Sequence, residues 1–197
     1  TPQVDYPFLN ALGALLEFSV DQLKAKLLAV LEKATQDVLF TAINNGDIRT
    51  QFYSRSRFMD FIRVNPILDF PVLNDFLSLP GVLDPKGLNL IVFKKETITI
   101  RKTLEKIRSK DDFHLLCQNP ENILNLVDPE RKNLILIREN KNYYPIVMVT
   151  KKSETDKKIR IDRTFSYEET PSNVVYHLRD YYFQNCKQEV LAELSKG

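Results

Sequence analysis

The stretch RKNLILIRENKNYYPIVMVTKK, from Arg131 to Lys152, decides how the chain is read. Two apolar runs, Leu134 to Ile137 and Tyr143 to Val149, flank the polar segment Glu139-Asn140-Lys141-Asn142. Runs this short, separated by turn-forming residues, predict a β-hairpin at about 133–150. Pro145 has no N–H to give to a ladder, which puts its strand at a sheet edge or a bulge. Lys158 to Ile161 predicts a third strand.

Upstream, Gly87 is followed by the apolar run Leu88 to Phe93 and the β-branched run Thr97 to Ile100, both strand-like. Lys94-Lys95-Glu96 between them reads as a tight turn, Thr103 to Lys110 as a short helix, Phe113 to Cys117 as a strand, and Pro120 to Val127 as a short helix. The first 80 residues read as helical. Phe8, Leu12, Leu15 and Leu16 form a stripe over Pro7 to Phe18, weakened by Gly13. Ser19 and Gln22 form a capping-box pair. Leu23, Leu27, Val30, Leu31, Ala34, Val38 and Ala42 then continue one helix to a stop at Gly46. A helix around Phe52 to Ile62 ends before Pro66, and a short one over Pro71 to Leu79, led by Asp69, ends at Pro80-Gly81. Pro171 opens a final amphipathic helix, with Val174, Val175, Leu178, Tyr181, Tyr182, Val190, Leu191 and Leu194 on its apolar side. The fold class is α+β: N-terminal helices, a mostly antiparallel sheet, and a closing C-terminal helix. A helical region (1–80) and an α+β region (81–197) are expected, as two units or one continuous domain.

The composition narrows the chemistry. The 197 residues carry 28 Lys plus Arg against 26 Asp plus Glu, a net charge of +2, and 43% are hydrophobic, which suffices for a core. Two cysteines and two histidines are too few for a zinc finger or ribbon. The five glycines form neither GxGxxG nor GxxxxGKS/T, so no phosphate-cradling loop is present. No cofactor is indicated. No apolar run approaches the roughly 18 residues of a membrane span. Cys117 and Cys186, isolated in sequence, read as independent thiols suited to a reducing compartment. The chain begins at Thr1 with no signal-peptide pattern, which reads as a segment of a longer intracellular protein.

Catalytic groups are sparse. His114 and Cys117 stand three apart, which on a strand puts them on opposite faces, and buried cysteine is commonly structural. His177 and Cys186 fall on opposite faces of the last helix. Glu168-Glu169 suits the start of that helix. Asp111-Asp112 and Asp128-Pro129-Glu130 read as loop or cap residues. Tyr143-Tyr144 and Tyr181-Tyr182 should each turn one ring inward and one outward. A stacking platform for single-stranded nucleic acid and ordinary core packing both fit them. No catalytic or metal-ligating set emerges, and the chain reads as non-enzymatic.

Charge is unevenly distributed. Residues 94–110 hold seven basic residues (Lys94, Lys95, Arg101, Lys102, Lys106, Arg108, Lys110) against Glu96 and Glu105, a balance of +5. Residues 151–163 hold six against three, led by Lys151, Lys152, Lys157 and Lys158. Two readings stand. The clusters form one positive surface for the phosphates of double-stranded DNA, or they are solubilising charge that protects strand ends. No RNP-type motif or DNA-reading helix is present, so sequence-specific readout is not indicated.

The segments PGVLDPKGLNLIVFKK (Pro80 to Lys95) and DPERKNLILIRENKNYYPIV (Asp128 to Val147) carry a resemblance that covers about a third of the chain. A strand ending in a basic residue (Leu134 to Arg138), a polar turn and the strand Tyr143-Tyr144-Pro145-Ile146 are similar to a region of the large subunit of the viral early transcription factor. That family belongs to the nucleocytoplasmic large DNA viruses, the poxvirus and African swine fever virus group. The resemblance implies a domain of a promoter-recognition factor working beside an ATPase subunit and a viral RNA polymerase, in the host cytoplasm or the virion. It assigns no site residue. The expected function is a non-enzymatic domain making protein contacts and sequence-independent DNA backbone contacts; the alternative is a scaffold that only docks partner subunits.

Overall fold

A computed structural model describes residues 5–33, 37–103, 106–117, 125, 128–151, 153–155, 157–166, 172–186, 191–192 and 195–196, without the side chains of 101–103, 106–108 and 172. Six helices come first: α1 (Pro7–Leu16), α2 (Val20–Glu32), α3 (Asp37–Ala42), α4 (Asp47–Phe52), α5 (Arg55–Val64) and α6 (Phe70–Ser78). Strands β1 (Leu88–Thr103), β2 (Lys106–Leu115), β3 (Lys132–Glu139), β4 (Asn142–Pro145), β5 (Met148–Lys151) and β6 (Ile159–Asp162) follow, and α7 (Ser172–Asn185) comes last. The fold is α+β.

The capping box forms as read: Gln22 N–H donates to Ser19 Oγ (3.1 Å) and Ser19 N–H to Gln22 Oε1 (2.9 Å). The helix it opens does not run to Ala42. It ends at Glu32, where Lys33 turns extended and the Arg55 guanidinium takes its carbonyl (2.8 Å). Val38, placed on the stripe by sequence, is 79% exposed in the separate helix α3. Beyond it Asn44, Asn45 and Gly46 all have positive φ. Asparagine tolerates that region better than other non-glycine residues. The Asp75 carboxylate accepts the Asn44 N–H (2.8 Å) and so fixes the kink. The helix expected around Phe52 to Ile62 is likewise two, α4 and α5, broken at Tyr53 (φ 66) and restarted by the Ser54 cap. Gly13, a weak point in sequence, has a tertiary reason. A Cβ there would lie 2.2 Å from the Phe18 carbonyl oxygen, where the chain folds back into α2.

The main sheet has the order β2-β1-β3-β4. β1 pairs antiparallel with β2 and parallel with β3, and β3 pairs antiparallel with β4. The hairpin read from sequence is β3–β4, with Asn140 at positive φ in its turn and Pro145 ending the outer strand; its second run, Tyr143 to Val149, divides there, and Met148 and Val149 belong to β5 instead. Two upstream expectations are corrected. Lys94-Lys95-Glu96 is no turn but the middle of a 16-residue strand, and Thr103 to Lys110 is not helical because β2 begins at Lys106. Pairing with the β-branched run of β1 overrides the local helix preference there. Asp111 and Asp112 therefore stand in mid-strand, not in a loop. The segment Pro120 to Val127 lies outside the described residues except for Asn125. The expected third strand exists as β6, but it pairs with β5 in a separate two-stranded sheet.

β1 and β3 are covered on both faces. Leu88, Leu90, Val92, Leu134 and Leu136 join the helices of residues 1–80 in one hydrophobic cluster with Phe8, Phe58, Phe70 and Phe76. Ile135 and Phe93 face the other way, against Phe165, Val175 and Leu178. This double burial explains the unbroken apolar runs, which parallel strands typically show. Tyr143 is buried and Tyr144 is 48% exposed; Tyr182 is buried and Tyr181 partly exposed, as adjacent positions require.

Cys117 and Cys186 are not independent thiols. They form a disulfide with 5.6 Å between their Cα atoms, tying the end of α7 to the strand end beyond β2. Their 69-residue separation hid the pairing from sequence. The Asp69 side chain likewise makes no cap for α6; it accepts the Tyr143 hydroxyl proton and pairs with Arg138 (3.4 Å).

These tertiary ties can be probed through stability. Reducing the disulfide, or Cys117→Ser, should lower unfolding free energy by up to about 4 kcal/mol from loop closure, read from urea midpoints with and without reductant. Gly13→Ala should cost about 1–3 kcal/mol by overpacking, read from the same midpoints. Burial first, then Asp69, raises the Tyr143 hydroxyl above its ordinary value of 10.0. The folded chain then holds that proton more tightly than the unfolded chain. Its contribution is complete below about pH 10 and is lost as pH climbs beyond it. Tyr143→Phe should cost about 1–3 kcal/mol at neutral pH and flatten the alkaline fall, measured by melts between about pH 8 and 11.

Candidate nucleic-acid interface

β1 continues past the end of β3. Its partnership with β3 stops at Lys95↔Glu139, while its pairing with β2 runs on to Thr103↔Lys106. The last eight residues of β1 and the first part of β2 thus form a two-stranded ribbon beyond the sheet. All seven cations of the first cluster stand on this ribbon or at its root. Directly opposed residues share a face, so register divides them. Lys94, Glu96, Ile98, Lys110, Asp112 and His114 share one face; Lys95, Thr97, Asp111 and Phe113 share the other. Arg101, Lys102, Lys106 and Arg108 have strand backbone near the tip, and their side chains lie outside the description.

The root is electrically satisfied. Lys94 Nζ sits 2.8 Å from Glu96 Oε1 and holds that carboxyl below its ordinary range through a hydrogen bond and charge. Lys95 lies between Glu139 (3.7 Å) and Asp111 (3.9 Å). Arg138, which the sequence reading did not single out as a site, stands opposite Lys94 on β3. It is engaged by Asp69, by the Asn140 carbonyl (3.2 Å) and by the Tyr143 ring (5.7 Å). Lys94, Lys95, Glu96, Arg138 and Glu139 line a cleft of about 660 Å³ between the ribbon root and the β3–β4 turn. Toward the tip the balance changes. From Ile98 to Lys110 the sequence holds five basic residues and one acidic, Glu105. Lys110 is exposed and has no ion pair among the described residues.

The second cluster stands on the other sheet. Lys151 ends β5, Lys157 and Lys158 precede β6, and all three are exposed; Lys152 lies outside the described residues. The two clusters, which the sequence left as one positive surface or as solubilising charge, thus stand on separate sheets. The structure gives a charged ribbon and a separate hairpin. That hairpin carries exposed Val149 opposite Ile161, with Ile159 on the same face.

The weighed catalytic residues come together differently. The thiol of Cys117 is consumed by the disulfide, so it has no nucleophilic partnership with His114. His114 Nε2 instead lies 2.9 Å from Asp112 and 3.8 Å from Glu96. Among the described residues no group of three His, Cys, Asp or Glu is placed to hold a metal ion, and no helix is long and apolar enough to cross a membrane. Glu168 and Glu169 lie outside the described residues. The ribbon itself had a sequence signal, the β-branched alternation of Thr97 to Ile100 continuing a strand without a glycine or proline break.

No family model matches the chain, and no solved structure matches it. It is similar to an uncharacterized protein of Acanthamoeba polyphaga mimivirus, 42% identical over 189 residues. The alignment takes in 96% of this chain and 12% of that protein, so the chain spans about an eighth of its relative's length.

Proposed function

We propose that the chain is a non-catalytic module of a longer viral protein, and that its β1–β2 ribbon contacts the phosphate backbone of double-stranded DNA. The observation that carries the reading is the ribbon's extension beyond the sheet with five basic residues and one acidic between Ile98 and Lys110. A cation-rich strand of this kind can lie along a phosphate backbone without entering a groove. The satisfied ion pairs at the root leave the tip as the source of affinity, without sequence readout. A role in viral transcription initiation, beside an ATPase subunit and a polymerase, is drawn from the sequence resemblance; the viral relative is compatible with it.

A second reading, docking of partner subunits, is favoured by the exposed Val149, Ile159 and Ile161 on one face of the β5–β6 hairpin. A fluorescence-anisotropy titration with duplex DNA separates the two. The first reading expects log affinity to fall linearly with log salt. Reversing Arg101, Lys102, Lys106 and Arg108 to Glu should lower the slope by about 1 for each phosphate no longer neutralised. Lys94→Ala and Lys95→Ala should change affinity less than about twofold, because exposed pairs already neutralise both. Unchanged binding after the tip reversal would sink the assignment, and no binding at low salt would leave the docking reading.

A further inference from the structure

β2 closes the main sheet on one side, and among the described residues no strand pairs with its outer edge. A ten-residue edge offers unpaired N–H and C=O groups to any strand that approaches. Charged side chains guard such an edge most directly where their signs are alike and repel a copy. β2 is different: it reads KIRSKDDFHL, with Lys106, Arg108 and Lys110 followed at once by Asp111 and Asp112. A strand basic in its first half and acidic just past its middle repels its own copy in parallel and attracts it in antiparallel.

We propose that β2 pairs antiparallel with β2 of a second copy of this chain, about a two-fold axis at Asp111, joining two four-stranded sheets into one. The symmetry restricts the register. A two-fold axis perpendicular to a sheet keeps every residue on its own face, so opposed residues must share that face. With Asp111 on the axis, Lys110 of each copy opposes Asp112 of the other. The remaining pairs put Ser109 against Phe113 and Arg108 against His114. Lys110 is exposed and has no ion pair among the described residues, while Asp112 is held in place by His114 (2.9 Å). The two Asp111 side chains meet at the axis, each 3.9 Å from Lys95 Nζ of its own chain, which offsets their repulsion. Moving the axis to Lys110 brings Arg108 opposite Asp112 but sets Lys110 against itself with no such counter-charge. Moving it to Asp112 sets Asp112 against itself and Lys110 against His114. Opposite charges directly across antiparallel strands attract and like charges repel, which selects the Asp111 register.

Analytical ultracentrifugation of the 197-residue chain tests the pairing. The proposal expects a concentration-dependent monomer–dimer equilibrium. Lys110→Asp or Asp112→Lys alone should weaken the dimer by about tenfold or more, and the double variant, with both charges swapped, should restore it to within about threefold of the original. Register is read independently by oxidation. Asp111→Cys should give a covalent dimer across the axis, whereas Ser109→Cys should not, because the two sites would stand about 13 Å apart along the strands. The substituted side chains are on an exposed ribbon edge, and far-UV circular dichroism checks that the fold is kept. A chain monomeric up to about 1 mM, a dimer indifferent to the single changes, a swap that fails to restore it, or cross-linking at Ser109→Cys in preference to Asp111→Cys overturns the proposal.

Discussion

The parallel pairing of β1 with β3 is the constraint on which the rest of the structure depends. Parallel strands need a long crossover and cover on both faces, and this chain supplies both. Leu88, Leu90, Val92, Leu134 and Leu136 meet the helical layer, while Phe93 and Ile135 meet α7 and Phe165. Buried polar groups lock the arrangement. Asn133 exchanges backbone hydrogen bonds with Phe165 and donates its side-chain amide to the Phe165 carbonyl (2.9 Å), and Asn89 donates to Asn133 (3.2 Å). Arg131, nearly buried, donates to the Ser78 and Leu88 carbonyls, so α6 and β1 are held at the point where the sheet begins. Leaving any of these groups without a partner inside the core would carry the full desolvation cost.

Cover runs out at Lys95 and Glu139, and the chemistry of the chain changes there. Inside the cover the strands are apolar on both faces apart from the hydrogen-bonded Asn89 and Asn133. Outside it the same strand becomes polar and charged, because a two-stranded ribbon has no core to fill. The ion pairs of Lys94 and Lys95 sit at this boundary. Beyond it the charges answer to solvent and to partners. Net charge says little about such a protein, since +2 overall includes a balance of +5 over residues 94–110.

The disulfide bears on α7. The C-terminal half of this helix rests on a small cluster in which Tyr182 and Cys186 are the buried members and Leu115, Cys117 and Phe183 flank them. So little apolar contact gives the covalent tie a large share in holding the helix end against β2. The pair also corrects the expectation of free thiols: a bond of this kind requires oxidising chemistry at some stage in the life of the protein.

Features set by neighbours in sequence were legible without coordinates. The Ser19 and Gln22 cap, the turn at Asn140, the edge position of Pro145 and the inward and outward tyrosines each follow from local stereochemistry or periodicity, and so did the α+β class. The misreadings share one cause, a partner distant in sequence. Helix α2 stops where Arg55 takes the Lys33 carbonyl, and Asp75 holds the separate kink at Asn44 beyond α3. Lys94 to Glu96 stays extended because β2 pairs alongside, and Asp69 abandons its cap for Tyr143 and Arg138. Cys117 finds Cys186 only because α7 returns to the sheet. By itself the sequence determined which residues are apolar enough to be buried and where cation-rich segments fall. Tertiary structure alone decided that the first such segment is a ribbon with two faces, because pairing register and the limit of the covering layers depend on contacts between residues far apart along the chain.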